Sequence, residues 1–448
     1  MSTKTLDVNG KVVLEEVHQR LNTKDLFLLG IQHVAAMCAG AIAVPMILGE
    51  SLGLDQGQIN TLVSATLMMA GIGTFIQTVG VHKKIGAKLP IVEGVSFAGV
   101  SALVAVGLTY NGTDPIFGLQ VMFGATILSG VFAFLMAPAF GKLLKYFPPL
   151  VSGVVVTSMG LSLIPVALRW IAGSPKSIHY LSLKNILLAL ITMGIVIAIQ
   201  KLSKGFLGNI AILLGIFLGT LVAFPMGLAD FGGVENAAML TINTPLQFGI
   251  PKFEITAVLS LFLVQLVIMT DATGNQINLS DICSVEPTQD SIVAGLRGHG
   301  LSSMLAGLFN SFPHSLFGQN VGIAAITGVK SRYVGTAAGI ILFVSSFFPK
   351  VIGVLTAIPS PVLGGAGIIM FGIVSANGIK RLGTVSYDKN KNLVIVATSL
   401  GMALAPIATP QLFTNFPQWA KILFQSPVTL GALTVITLNI IFNELGKK

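Results

Sequence analysis

Long apolar runs alternate with short polar breaks along most of this chain, without the period-2 or period-3.6 stripes of half-buried elements in a soluble domain. The runs fall near residues 26–48, 58–80, 89–109, 116–138, 149–169, 182–200, 206–225, 255–278, 295–312, 320–330, 333–358, 361–379, 391–407 and 427–443. Most approach the roughly 20 residues that a helix needs to cross a bilayer. The pattern predicts an all-α polytopic membrane protein with fourteen transmembrane segments. Two runs depart from a simple helix. Residues 320–330 are eleven in number, about 16 Å at helical rise against a hydrocarbon core of roughly 30 Å. Pro313 precedes them, so 312–319 is predicted to be extended and to make up the length. The run at 89–109 is opened by Pro90 and interrupted by Gly94, so 90–95 is predicted extended ahead of a helix from Ser96. Interrupted spans at matching places in two halves mark an inverted-repeat transporter, with substrate held between half-helices at the midplane. The chain therefore reads as two seven-span repeats joined by the polar loop 226–253.

Composition agrees with the pattern. Of 448 residues, 53% are hydrophobic and 10% charged, where a soluble domain carries about a quarter charged residues. The net charge of +9 is spread in twos and threes between apolar runs, which excludes a nucleic-acid partner and suits loop anchors at a lipid surface. With the N-terminus placed in the cytoplasm, twenty of the 26 Lys and Arg fall on the inner side. That asymmetry predicts a multi-pass protein of the cell membrane with both termini cytoplasmic. Residues 1–24 lack the apolar core of a signal peptide and read as a cytoplasmic leader forming a short amphipathic helix. Cys38 and Cys283 lie in or beside apolar runs, so neither a disulfide framework nor a metal site is expected, and no cofactor beyond a coupling proton.

Of the seventeen acids, Glu93 and Asp271 are the two that fall inside the runs. An ionisable group at membrane depth costs roughly 2.5–3.5 kcal/mol on insertion scales and marks a functional site by default. Asp271 and Asn275 are four residues apart, on one helix face. Glu93 sits in the extended part of the third span, where its bland reading is a partner for backbone amides. The polar pair Gln32-His33 interrupts the first span, and His299 lies early in the ninth. Imidazole titrates near neutrality, so an Asp271–His299 couple is a candidate proton relay. His314, after Pro313, reads as structural. Finally, Gln319-Asn320 places two amides at the head of the short tenth run, where an unpaired amide is costly.

These residues together resemble the nucleobase–cation symporter-2 family, also called nucleobase–ascorbate transporters. Residues 319–327 match its signature, a Gln or Glu followed by Asn-x-Gly-x-x-x-x-Thr, position by position. Gln32-His33, Ser96-Phe97-Ala98 after Pro90, and Asn310-Ser311-Phe312-Pro313 match as well. The resemblance spans about 25–440. It implies a core of spans 1–4 and 8–11 (residues 25–148 and 254–358) and a gate of spans 5–7 and 12–14 (149–225 and 359–448). It also implies homodimers, elevator-like motion and a purine nucleobase substrate. Carried over by position, Gln319 hydrogen-bonds the purine edge, Asp271 occupies the eighth-span carboxylate that usually is Glu, and Asn320 supports the site. Ser96, Phe97 and Gly322 lie beside the base. His299 stands where many members have Asp, a position linked to proton coupling. Gln rather than Glu at 319 favours an oxidised purine, xanthine or uric acid, over uracil. A carboxylate beside an amide suits an imide edge, because the first accepts and the second both donates and accepts. An anion transporter of the same fold is the competing reading, disfavoured by the carboxylate at 271. A membrane-embedded enzyme is disfavoured further, since no metal-ligand spacing, nucleophile elbow or phosphate loop is visible.

Overall fold

The computed structural model describes residues 4–6, 12–14, 16–110, 114–143, 148–173, 179–204, 206–229, 231–235, 239–388 and 391–444. Asp7, Lys11 and Glu15 of the leader and the loop lysines Lys145 and Lys389 lie outside the described residues. Among the described residues of the leader there is no amphipathic helix. The leader pairs β1 (Lys4–Leu6) with β2 (Val12–Leu14) as an antiparallel hairpin, for which the β-branched Thr5, Val12 and Val13 are suited.

The first half continues with α1 (Thr23–Leu52), α2 (Gln56–Phe75), β3 (Glu93–Val95), α3 (Val100–Tyr110), α4 (Pro115–Leu143), α5 (Pro149–Ala172), α6 (Leu183–Leu202), α7 (Phe206–Asn209), α8 (Ala211–Ala223) and α9 (Gly232–Glu235). The second half holds α10 (Ile255–Ile282), α11 (Gln289–Leu308), β4 (His314–Leu316), α12 (Gly318–Thr327), α13 (Arg332–Ser345), α14 (Pro349–Thr356), α15 (Ser360–Leu382), α16 (Lys391–Ala408), α17 (Gln418–Phe424) and α18 (Pro427–Asn439). Polar residues in the breaks start the helices. Asn22 accepts from the Asp25 amide, Asp55 forms a capping box with Gln58, and Thr288 and Ser426 cap α11 and α18.

Among the described residues, eight helices are long and apolar enough to cross a membrane, and a ninth span forms if α13 and α14 are counted together. Three shorter apolar helices cover 97–110, 211–223 and 427–443. The two runs left outside that set are those of α11 and α12, which carry His299 and the Gln319-Asn320 pair. Two boundaries differ from expectation. Residues 333–358 are not one straight helix: α13 and α14 meet at 92°, as in a broken span or a re-entrant loop. Pro349 opens α14, lacks an amide hydrogen, and holds Phe348 in an extended conformation. The run at 206–225 is likewise divided into α7 and α8.

The expected extended stretches are present, and they meet. β3 pairs antiparallel with β4, with Glu93 opposite Leu316 and Val95 opposite His314. The helices around this crossing pack in two sets. One joins α4 to α11 and α10, and α13 to α1 and α2. The other joins α15 to α5 and α6, α6 to α8, and α18 to α16 and α5. Glycine permits the closest approach in each. A Cβ at Gly300 of α11 would stand 2.6 Å from the Phe134 backbone nitrogen on α4, and one at Gly378 of α15 would collide with Thr157 on α5. The outer faces of α6 and α8 remain apolar and exposed, with Leu187, Leu190, Ile197, Phe217 and Leu221 turned to the surroundings as lipid-facing side chains are.

Candidate functional site

The strand crossing delivers the chain to two helix starts. After β3, the Ser96 hydroxyl accepts from the Ala98 amide at 3.2 Å and begins the turn that leads into α3. After β4, Phe317 is extended and contributes no side-chain cap to α12. The first amides of α12 therefore keep their partial positive charge. Gln319 stands at that end, exposed and without a hydrogen bond to any described residue. A Cβ at Gly322 would meet nothing within 4 Å, and neither would one at Gly274 on the facing helix α10. Asn275 of α10 lies 3.6 Å from where a Cβ of Gly318 would be. Open space thus lies between the start of α12 and α10.

Asn320 is held very differently from its neighbour. Its amide nitrogen donates to His33 Nδ1 at 3.0 Å and to the His33 carbonyl at 2.9 Å, and both residues are buried. The first-span polar pair thus divides. His33 anchors α12, whereas the buried Gln32 Oε1 finds no partner. On the other side, the half-buried Phe97 ring meets Phe371 of α15 edge-on at 5.8 Å, and Phe371 leans on Trp170 of α5 at 6.3 Å. The Trp170 indole in turn donates to Glu50 at 2.7 Å.

Asp271 is on the predicted face of α10. Its Oδ2 accepts from Asn275 at 3.2 Å. Its Oδ1 accepts from Arg381 of α15 at 2.7 Å, and about a third of each side chain is exposed. Sequence reasoning counted Arg381 among the inner-loop anchors and missed this pairing. The expected Asp271–His299 couple is not formed, because Asp271 is turned to Arg381. His299 instead lies mid-helix in α11, with Nδ1 3.5 Å from Glu93 Oε1 and Nε2 2.9 Å from the Gln265 amide. Glu93 is fully buried. Its side chain is not spent on backbone amides as the bland reading held. Oε1 accepts from Gln77 at 2.7 Å, and His314 approaches Oε2 at 4.0 Å.

The cleft beside Asp271 and Arg381, walled by Ser152, Val155, Val156, Val267 and Thr270, has a volume of about 10 Å³. That admits no more than a water. A larger hollow of about 450 Å³ lies over Asp55, Gln58, Thr61, Ile116, Gln247 and Phe248, away from every residue above. Several of its polar groups are committed locally, Asp55 Oδ1 and Gln58 in the capping box and the Phe248 carbonyl to Gln120.

Comparison with known proteins adds a second line. A sequence model described as a permease family matches residues 24–412. The chain is 38% identical to the uric acid transporter UacT of Escherichia coli over 96% of this chain and 88% of that protein. It is 38% identical to the xanthine permease of Bacillus subtilis over 94% of each. It is 39% identical to the uric acid permease PucK of the same organism over 94% of this chain and 96% of that protein. Among solved structures, the transmembrane domain of the cyanobacterial bicarbonate transporter BicA aligns with a TM-score of 0.62 at 17% identity, covering 93% of this chain and 100% of that one. The murine anion transporter Slc26a9 in its inward-facing state aligns at 0.63 and 11%, covering 94% and 69%. At such identities the structural likeness concerns the fold alone, and it is the fold of these transporters.

Proposed function

The chain belongs to the permease family matched over residues 24–412, and from that premise we propose that it is a secondary transporter carrying an oxidised purine, xanthine or uric acid, by proton symport. The observation that carries the reading is the state of Gln319. In a polar pair at the junction of a strand and a half-helix, the buried Asn320 has its amide nitrogen committed to His33 while Gln319 is left exposed with both amide functions unused. An amide offers a donor and an acceptor side by side, which matches the alternating N–H and C=O groups of an oxopurine edge.

The rest of the site follows from that placement. The uncapped start of α12 directs partial positive charge at ring oxygens. Phe97 offers an aromatic face for stacking, and the missing side chain at Gly322 lets the base approach the backbone. Asp271 accepts one bond at each oxygen, from Arg381 and from Asn275, and each oxygen retains a lone pair for a purine N–H. A cleft of water size must widen before a purine enters. Separation of α10 from α5 and α15 would do this, and those helices belong to the two sets that an elevator would move relative to each other.

Purified full-length protein in liposomes provides the test. Saturable uptake of labelled xanthine or urate, competed by the other and indifferent to sulfate and bicarbonate, is the expected result. Uptake of sulfate or bicarbonate instead, with none of either purine, would favour the anion-transporter reading.

A further inference from the structure

The purine site leaves one group of ionisable side chains unused, and it lies behind the strand crossing. Glu93 of β3, His299 of α11 and His314 of β4 are all fully buried. Gln77 is locked in place. Its nitrogen donates to Glu93 Oε1 at 2.7 Å and to the Gly295 carbonyl at 2.9 Å, and its oxygen accepts from the Ala87 amide at 3.0 Å. Gln265 donates to His299 Nε2, which leaves the hydrogen of the neutral ring on Nδ1, facing Glu93 Oε1 at 3.5 Å. Both groups therefore face one carboxylate oxygen, Gln77 through a hydrogen bond and His299 at ion-pair distance with its Nδ1 unbonded. The other, Oε2, has no hydrogen-bond partner. Around Oε2 lie His314 Nδ1 at 4.0 Å, the Ser302 hydroxyl bonded to that nitrogen at 2.7 Å, and Gly73, where a Cβ would stand 2.8 Å from Oε2.

Among the described residues no Lys or Arg pairs with Glu93, whose ionisable neighbours are the imidazoles of His299 and His314. Helix α2 presents Thr74 and the turn after it Gln77, α10 presents Gln265, α11 adds Ser302 and Ser303, and β4 adds His314. Arg297 on α11 is over the Phe134 ring, and Arg332 on α13 is spent on the carbonyls of Thr78 and Val79. A carboxylate enclosed at membrane depth without a fixed positive partner is stabilised by taking a proton. Oε2 is an open position for it, beside the hydrogen-bonded pair of Ser302 and His314.

We propose that Glu93 Oε2, flanked by His299 and His314, is the binding site of the coupling proton, a reading that rests on the symport proposed above. The step balances simply. An O–H bond forms at Oε2 as a proton enters from one side of the membrane, the carboxylate passes from −1 to neutral, and the same bond breaks when the proton leaves on the other side. Gln265 Oε1 is unpaired, so a turn of that amide supplies an acceptor whenever His299 carries a hydrogen on Nε2. The link to substrate is covalent and short. Residue 93 begins β3, which ends at Val95 just before Ser96 and Phe97, and residue 314 begins β4, which ends at Leu316 just before Phe317 and the start of α12. Charge at Glu93 thus acts on both half-helix starts through the paired strands.

The test uses full-length protein in liposomes with labelled xanthine. With one proton per substrate, a one-unit inside-alkaline gradient supports about tenfold accumulation. Glu93→Gln is expected to keep exchange of labelled for unlabelled xanthine and to lose that accumulation, falling to the equilibrium level. Accumulation by Glu93→Gln at the wild-type level would overturn the assignment. If Glu93→Gln does not fold, Glu93→Gln/His299→Asp decides, since it returns a carboxylate across the same contact. Gradient-driven accumulation in that chain supports the proposal, and exchange without accumulation, or no transport, overturns it. A wild-type protein that exchanges xanthine but accumulates it in a sodium gradient and not a proton gradient would instead defeat the symport reading.

Discussion

Gln319 and Asn320 are adjacent amides with opposite fates, and the difference defines the candidate site. Asn320 ties the start of α12 to His33 on α1 through two bonds. Asn320→Ala should destabilise the protein by about 1–3 kcal/mol, because it leaves buried groups on His33 unpaired, and a lowered melting temperature of the purified protein would report it. Gln319 is free to face a ligand. Gln319→Glu keeps the size and removes the donor, so xanthine affinity should fall roughly ten- to hundredfold, the effect of one or two mispaired hydrogen bonds. Competition against labelled xanthine measures this, and unchanged affinity would remove Gln319 from the site. Both amides, Asp271 and Glu93 were legible in the sequence because each is a polar group where none is tolerated unpaired. Their partners were not. Arg381 is 110 positions from Asp271 and sits beside Lys380 at a helix end, where it reads as an inner anchor. Glu93, His299 and His314 come from three elements, brought together by the pairing of β3 with β4 and the packing of α11 on β4.

At the scale of elements, proline and glycine made the strand–half-helix units readable, since Pro90, Gly94 and Pro313 forbid a continuous helix where length also fails. Pro349 offered the same signal for the 92° bend between α13 and α14, yet the apolar run around it is long enough to span and masked the break. Helix partnership is less legible, because it rests on small residues scattered along faces. Gly300 is a clear case, with the backbone of α4 occupying the place of its side chain. Gly300→Val should force α4 and α11 apart and cost about 1–3 kcal/mol or more as overpacking. Fluorescence-detected size exclusion should then show loss of folded protein, whereas Gly401→Val, at a position open to 4 Å, should leave the profile unchanged.

Over the whole molecule, the two helix sets touch at a few polar points that a sliding motion would have to release. One is Asp271 with Arg381. Another is Ser101 of α3, whose hydroxyl lies 3.3 Å from that of Ser426 at the start of α18. Cysteines at 101 and 426, in a chain with Cys38 and Cys283 replaced by serine, are close enough for a disulfide. Oxidation should arrest xanthine uptake and reductant should restore it if α3 travels relative to α18; full uptake by the cross-linked protein would exclude motion at that contact. The central claim, however, is that a purine is recognised at the start of α12, between Gln319 and Asp271. The most direct measurement is labelled xanthine uptake into liposomes by wild type, Gln319→Ala and Asp271→Asn side by side. The account predicts saturable, urate-competed uptake in wild type and its loss in both variants. Uptake of wild-type affinity and rate in the two variants would contradict it.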